Sequence, residues 1–179
     1  DNAVKAAISM LHRLGDYNQH RIQQGFAPIK NGIGINTGLL MLGTVGGQNR
    51  MDGTVISDAV NLASRVEGLT KNYGIALLIT DQTYARLTQR DSYAIRRIEQ
   101  VKVKGKSEAV TVYEVFDADF EEMKAGKLAT LGRFTEALSL YDAGKFLEAA
   151  QLFGDCVRQN PGDRVAQIYG DRAQRKLNP

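Results

Sequence analysis

Arg50-Met-Asp-Gly-Thr-Val-Ile-Ser-Asp-Ala-Val-Asn-Leu-Ala-Ser-Arg65 is the stretch from which the fold can be read. A polar turn, a short β-branched strand and a helix follow one another, and the helix carries Asn61 and Arg65. Residues at i and i+4 share a helix face. An amide that can hold a hydroxyl therefore stands beside a cation that can neutralise phosphate oxygens, a pairing suited to nucleotide chemistry. A helix with one buried Asn and one surface Arg satisfies the same pattern, so the neighbouring motifs decide.

Working outward, Gly32-Ile-Gly-Ile-Asn-Thr-Gly38 and Gly43-Thr-Val-Gly46 come before this run, and Val103-Lys-Gly-Lys106 comes after it. In that order and spacing the motifs resemble the C-terminal part of a class III adenylate/guanylate cyclase catalytic domain, over residues 1–117. The likeness is greatest to cyanobacterial-type adenylate cyclases, in which Thr replaces the adenine-reading Asp of animal enzymes.

The resemblance implies an α+β fold, a partial ferredoxin-like palm, and an activity: conversion of ATP to cyclic AMP and pyrophosphate in intracellular signalling. It also implies roles. Thr54 stands at the base-reading position, Asn61 orients the ribose, and Arg65 acts on the α-phosphate in the transition state. Lys104 grips the outer phosphates, with Lys106 as the near alternative. A homodimer is implied too, with the active site at the interface and metal carboxylates supplied by the opposite protomer.

The family binds two divalent ions, Mg or Mn, through two aspartates upstream of the matched segment. The chain opens Asp1-Asn-Ala-Val-Lys, which reads as the helix beyond both of them, so the resemblance implies an N-terminally truncated domain. No residue here is assigned to metal; Asp58 reads as a cap for the Ala59–Glu67 helix. Alone, the piece is expected to be inactive, since phosphoryl transfer relies on charge neutralisation by the ions. The alternative is a catalytically dead cyclase-like module that binds nucleotide or a protein.

Composition bounds these readings. At 43% hydrophobic and 24% charged the chain is ordinary for a globular protein. No apolar run reaches the roughly 18 residues of a membrane span. A net charge of +3, spread along the chain, with scattered aromatics and no Trp, argues against nucleic acid as partner. His12 and His20 lie eight apart with no acid or Cys cluster at ligand spacing, which disfavours a metal site. The single Cys156 sits in a helical pattern as a small buried hydrophobe. With a triphosphate substrate this fits a reducing cytoplasm, whether or not an upstream region anchors the intact protein to a membrane.

Along the chain, apolar spacing predicts a helix over 2–24 that stops at Gly25, strands over 29–36 and 39–44, and a helix from Ala59 to about Lys71. Gly34 reads as a site of close backbone approach. Ile75–Ile79 reads as a buried strand, Asp81 as the cap of a helix over 82–87, and 93–103 and 109–116 as a strand pair joined by the lysine turn. Residues 118–179 form a helical extension: a linker or short helix around Gly126 and Gly132, then a tetratricopeptide-like hairpin and a third helix over 165–177. Since such hairpins normally stack to bury a core, this one would pack on its own domain, a second copy or a protein partner.

Overall fold

The computed structural model describes residues 1–45, 52–56, 58–102 and 109–177, with backbone only for 41–45, 52–56 and 102. It is a mixed α+β structure whose chain packs as two compact units, residues 1–90 with 99–114, and residues 91–98 with 115–179.

The first unit opens with α1 (Asn2–Gln23), followed by Gly25 in the left-handed region at φ +79°. Strands β1 (Ile33–Ile35), β4 (Leu77–Thr80), β6 (Ala109–Val115) and β5 (Ile95–Lys102) form one sheet in the order β1-β4-β6-β5. β1 runs parallel to β4, with Ile33 opposite Leu77, and β4 runs antiparallel to β6, with Leu78 opposite Glu114. Strands β2 (Met41–Val45) and β3 (Asp52–Ile56) form a separate antiparallel pair, with Gly43 opposite Thr54. All four residues of β4 are fully buried, which explains the unbroken apolar run there.

Helix α2 (Asp58–Tyr73) lies directly on β1. A Cβ on Gly34 would penetrate the backbone nitrogen of Glu67 and come within 2.7 Å of the Ala63 carbonyl oxygen. One on Gly32 would strike the Thr70 hydroxyl, and one on Gly38 would lie 2.7 Å from the Ala59 Cβ. The glycines thus meet α2 at 70, then 67 and 63, then 59, about one contact per helical turn. Leu62, Val66, Thr70 and Tyr73 are buried at helical spacing, and the Tyr73 hydroxyl donates to Glu99 at 2.7 Å.

The short helix α3 (Asp81–Ala85) corrects one expectation. Its cap is Thr80, whose hydroxyl accepts from the Thr83 N–H at 3.3 Å, while Asp81 is the first helical residue. The Asp81 carboxylate instead accepts from the N–H of Gln82 at 2.7 Å and of Thr111 at 3.1 Å. A residue at the end of a strand is already in the extended backbone that a cap needs, and Thr80 occupies that place.

The second unit holds α4 (Glu121–Asp142), α5 (Phe146–Gln159) and α6 (Arg164–Leu177). Where a linker or short helix was expected, one long helix stands: α4 runs unbroken through Gly126 and Gly132. Gly126 is called for by packing, since a Cβ there would sit 2.7 Å from the Asn160 side chain. Phe134, Phe153 and Tyr169 form the aromatic centre, with ring centroids 5.6 and 5.5 Å apart. Cys156 is fully buried, and burial, the largest influence, pushes its thiol up to about 11, so it stays protonated near neutrality.

Arg96 of β5 belongs to this unit and pairs with Asp163 in a two-pronged contact of 2.6 and 2.9 Å, both side chains fully buried. Its guanidinium lies 4.4 Å from the Phe134 ring centre. Burial alone would raise the Asp163 carboxyl. The hydrogen bonds and charge of Arg96 outweigh it, with help from Lys127 and the Ala166 N–H, and hold the group below its ordinary value. Nearby, the Tyr169 hydroxyl donates to the Ile98 carbonyl at 2.8 Å.

Arg96→Met should cost about 3–5 kcal/mol in denaturant unfolding by stranding a buried carboxylate, and adding Asp163→Leu should recover most of it. Because the Asp163 carboxyl is depressed, its contribution is present above the unfolded-state value near pH 4 and is lost as pH falls through the folded value. Asp163→Asn should flatten that acid dependence; an unchanged acid limb would contradict the assignment. Separately, Gly34→Ala should destabilise by about 1–3 kcal/mol or more through overpacking. Gly68→Ala, on α2 with open space where a Cβ would stand, should stabilise by about 0.5–1 kcal/mol. Thermal midpoints moving in the same direction for both variants would refute the contact.

Candidate active site

Asn61 and Arg65 both lie on α2, one turn apart and both exposed. Their direction follows from the residues between and beside them. Leu62 and Val66 are buried at 3% and 1% exposure, so the helix cannot rotate without bringing them to solvent. Burying a side chain of this size is worth about 1.5–3 kcal/mol, enough to fix which face is presented. Both residues therefore lie exposed on one side of α2, four positions apart. Asp58 is the first residue of α2 and is exposed.

Thr54 falls within β3, opposite Gly43 on β2, and β3 leads into α2. Its side chain lies outside the described residues, as do Lys104 and Lys106 in their entirety. The lysines stand in sequence between β5 and β6, neighbours in the larger sheet.

Behind α2 lies a set of polar contacts that sequence reading did not single out. The Asn36 amide donates to the Ala59 carbonyl at 2.9 Å and accepts from the Thr80 hydroxyl at 2.8 Å. Thr37 and Thr83 share a hydroxyl hydrogen bond of 3.0 Å. The one available signal was the position of Asn36 inside the Gly32–Gly38 run. A half-buried polar side chain just past a sheet strand needs partners.

Among the described residues, no three His, Cys, Asp or Glu side chains gather so as to hold a metal ion. His12 and His20 are exposed on α1. The donor set on these elements, among the described residues, does not fit a two-metal centre. Among the described residues, no helix is long and apolar enough to cross a membrane.

The family model described as the adenylate and guanylate cyclase catalytic domain matches residues 1–117. Two curated relatives are adenylate cyclases. One, the terminal-differentiation-specific enzyme of Dictyostelium discoideum, is 41% identical over 172 residues, 96% of this chain and 8% of its own length. The other, from Anabaena cylindrica, is 48% identical over 120 residues, 64% of this chain and 24% of its own length. This chain thus spans less than a quarter of either. Among solved structures, the adenylyl cyclase CyaB from P. aeruginosa is similar at 34% identity and a TM-score of 0.54, over 64% of this chain and 57% of that one. The Dictyostelium alignment is too long to stop at residue 117, so it extends into the helical tail. The glycines that seat α2, the exposed Asn61 and Arg65 and the family match together place this chain in the adenylate and guanylate cyclase catalytic domain family.

Proposed function

We propose that this chain supplies the ribose- and phosphate-handling part of an adenylate cyclase, which converts ATP to cyclic AMP and pyrophosphate in intracellular signalling. The observation that carries the reading is the exposed pairing of Asn61 and Arg65 on a helix seated rigidly against β1. The ribose 3′-hydroxyl loses its proton to solvent as its oxygen forms a bond to the α-phosphorus, and the bond from that phosphorus to the pyrophosphate oxygen breaks. Asn61 holds the ribose so that the 3′-hydroxyl is in line, a positional effect. Arg65 meets the charge that grows on the α-phosphoryl oxygens, a stabilisation needed most at the transition state. Thr54 contacts the purine edge, and Lys104, with Lys106 beside it, takes the outer phosphates.

In this reading the domain is a partial ferredoxin-like palm that works as a homodimer with the site at the interface. The two Mg or Mn ions of the intact enzyme are held by carboxylates outside this chain, and catalysis takes place in the cytoplasm. The tail is a tetratricopeptide-like hairpin, α4 with α5, closed by α6. Support for that comes from consecutive packing of the three helices and from small buried residues, Ala137, Ala149 and Ala166, where they meet.

The test is Arg65→Ala in the cyclase extended upstream through its metal-binding carboxylates. Turnover should fall by about 10²–10³-fold, the usual loss on removing one transition-state donor, while affinity for a non-cyclising ATP analogue changes little. Equal losses in binding and rate would contradict the role given to Arg65.

A further inference from the structure

We infer that Asn36 is a positioning residue for the cyclisation, acting through the first turn of α2 on Asn61 and Arg65. The inference rests on the site reading above and adds a residue to it. A carbonyl inside a helix accepts the N–H four residues on and keeps a second lone pair. At Ala59 the Asn36 amide N–H takes it, at 2.9 Å. Ala59 stands two residues before Asn61 and six before Arg65, so the bond anchors the turn that carries Asn61 and leads into the one that carries Arg65.

The amide is itself held. Its oxygen accepts from the Thr80 hydroxyl at 2.8 Å, and Thr80 is fully buried at the end of β4. The same hydroxyl accepts from the Thr83 N–H, and the Thr83 hydroxyl meets both Thr37, at 3.0 Å, and the Ile35 carbonyl, at 3.3 Å. The chain of contacts therefore runs from the sheet through the α3 corner to α2. An amide suits the place because it donates to one side and accepts from the other. A carboxylate keeps the acceptor and loses the donor. At Gly38 the neighbouring backbone comes so close that a Cβ would lie 2.7 Å from that of Ala59, which leaves little slack in this end of the helix. A displacement of about 1 Å at a reacting centre costs on the order of 10²-fold in rate.

Asn36→Asp tests the assignment in two ways. In the 179-residue chain, hydrogen exchange at the amides of residues 62–65 should quicken, while that of β4 stays slow. In the upstream-extended cyclase, kcat should fall by about 10–10²-fold with KM for ATP little changed. The loss should shrink when Arg65→Ala is already present and vanish when Asn61→Ala accompanies it, because the Asn36 bond acts through those two side chains. Should Asn36→Asp fail to fold, Thr80→Val withdraws the hydroxyl that orients the amide and should lower kcat in the same non-additive way, with Thr80→Ser restoring it. If Arg65→Ala alone leaves turnover intact, the site reading is at fault. If Arg65→Ala lowers turnover as expected yet the Asn36 and Thr80 variants leave kcat unchanged, or lower it equally in both backgrounds, the positioning role is overturned.

Discussion

The close approach of α2 to β1 is the constraint on which the proposed site depends. Three glycines strip side chains from the strand and its following turn where the helix passes, and backbone meets backbone at Ala63 and Glu67. Close packing of this kind leaves a helix no freedom to roll or slide. Leu62, Val66 and Tyr73 then have to point inward, and Asn61 and Arg65 remain outside. The hydrogen bonds of Asn36 add a directional tie at the first turn of the helix. Preorganisation of this sort suits phosphoryl transfer, where positioning and charge do most of the catalysis.

The helical unit is built on a different interaction. Arg96 and Asp163 are both removed from water, and only their two-pronged contact, with the Phe134 ring against the guanidinium, makes that tolerable. Arg96 lies at the start of β5, so the three helices pack around a residue that the sheet strand provides. The tail's own aromatic core, Phe134, Phe153 and Tyr169, is thus completed by a charged residue from the strand. The alignment with the Dictyostelium enzyme, which runs on past residue 117, agrees with a tail that travels with the catalytic domain.

Much of this was legible in the residues themselves. The run Ile75–Ile79 declared a buried strand, and β4 is buried throughout, although it begins at Leu77. Gly34 read as a point of close approach, and the geometry agrees because strand glycines have few other uses. The helix bearing Asn61 and Arg65 followed from its apolar spacing. Other features lay beyond local pattern. Gly126 and Gly132 looked like breaks, yet α4 continues through both, since tertiary contact with Asn160 outweighs a helix penalty of about 1 kcal/mol per glycine. Asp81 looked like a cap because carboxylates often are, but the strand delivers Thr80 to that place first. The Asn36–Ala59 bond joins residues 23 apart, and the Arg96–Asp163 pair residues 67 apart. Neither separation leaves a trace in sequence periodicity.

The most direct test is a crystal structure of the upstream-extended cyclase with manganese and a 3′-deoxy ATP analogue, which binds but cannot cyclise. The account predicts the Arg65 guanidinium within hydrogen-bond distance of an α-phosphoryl oxygen and the Asn61 amide against the ribose, with α2 still seated on Gly34. An analogue bound in a site that neither side chain reaches would contradict it.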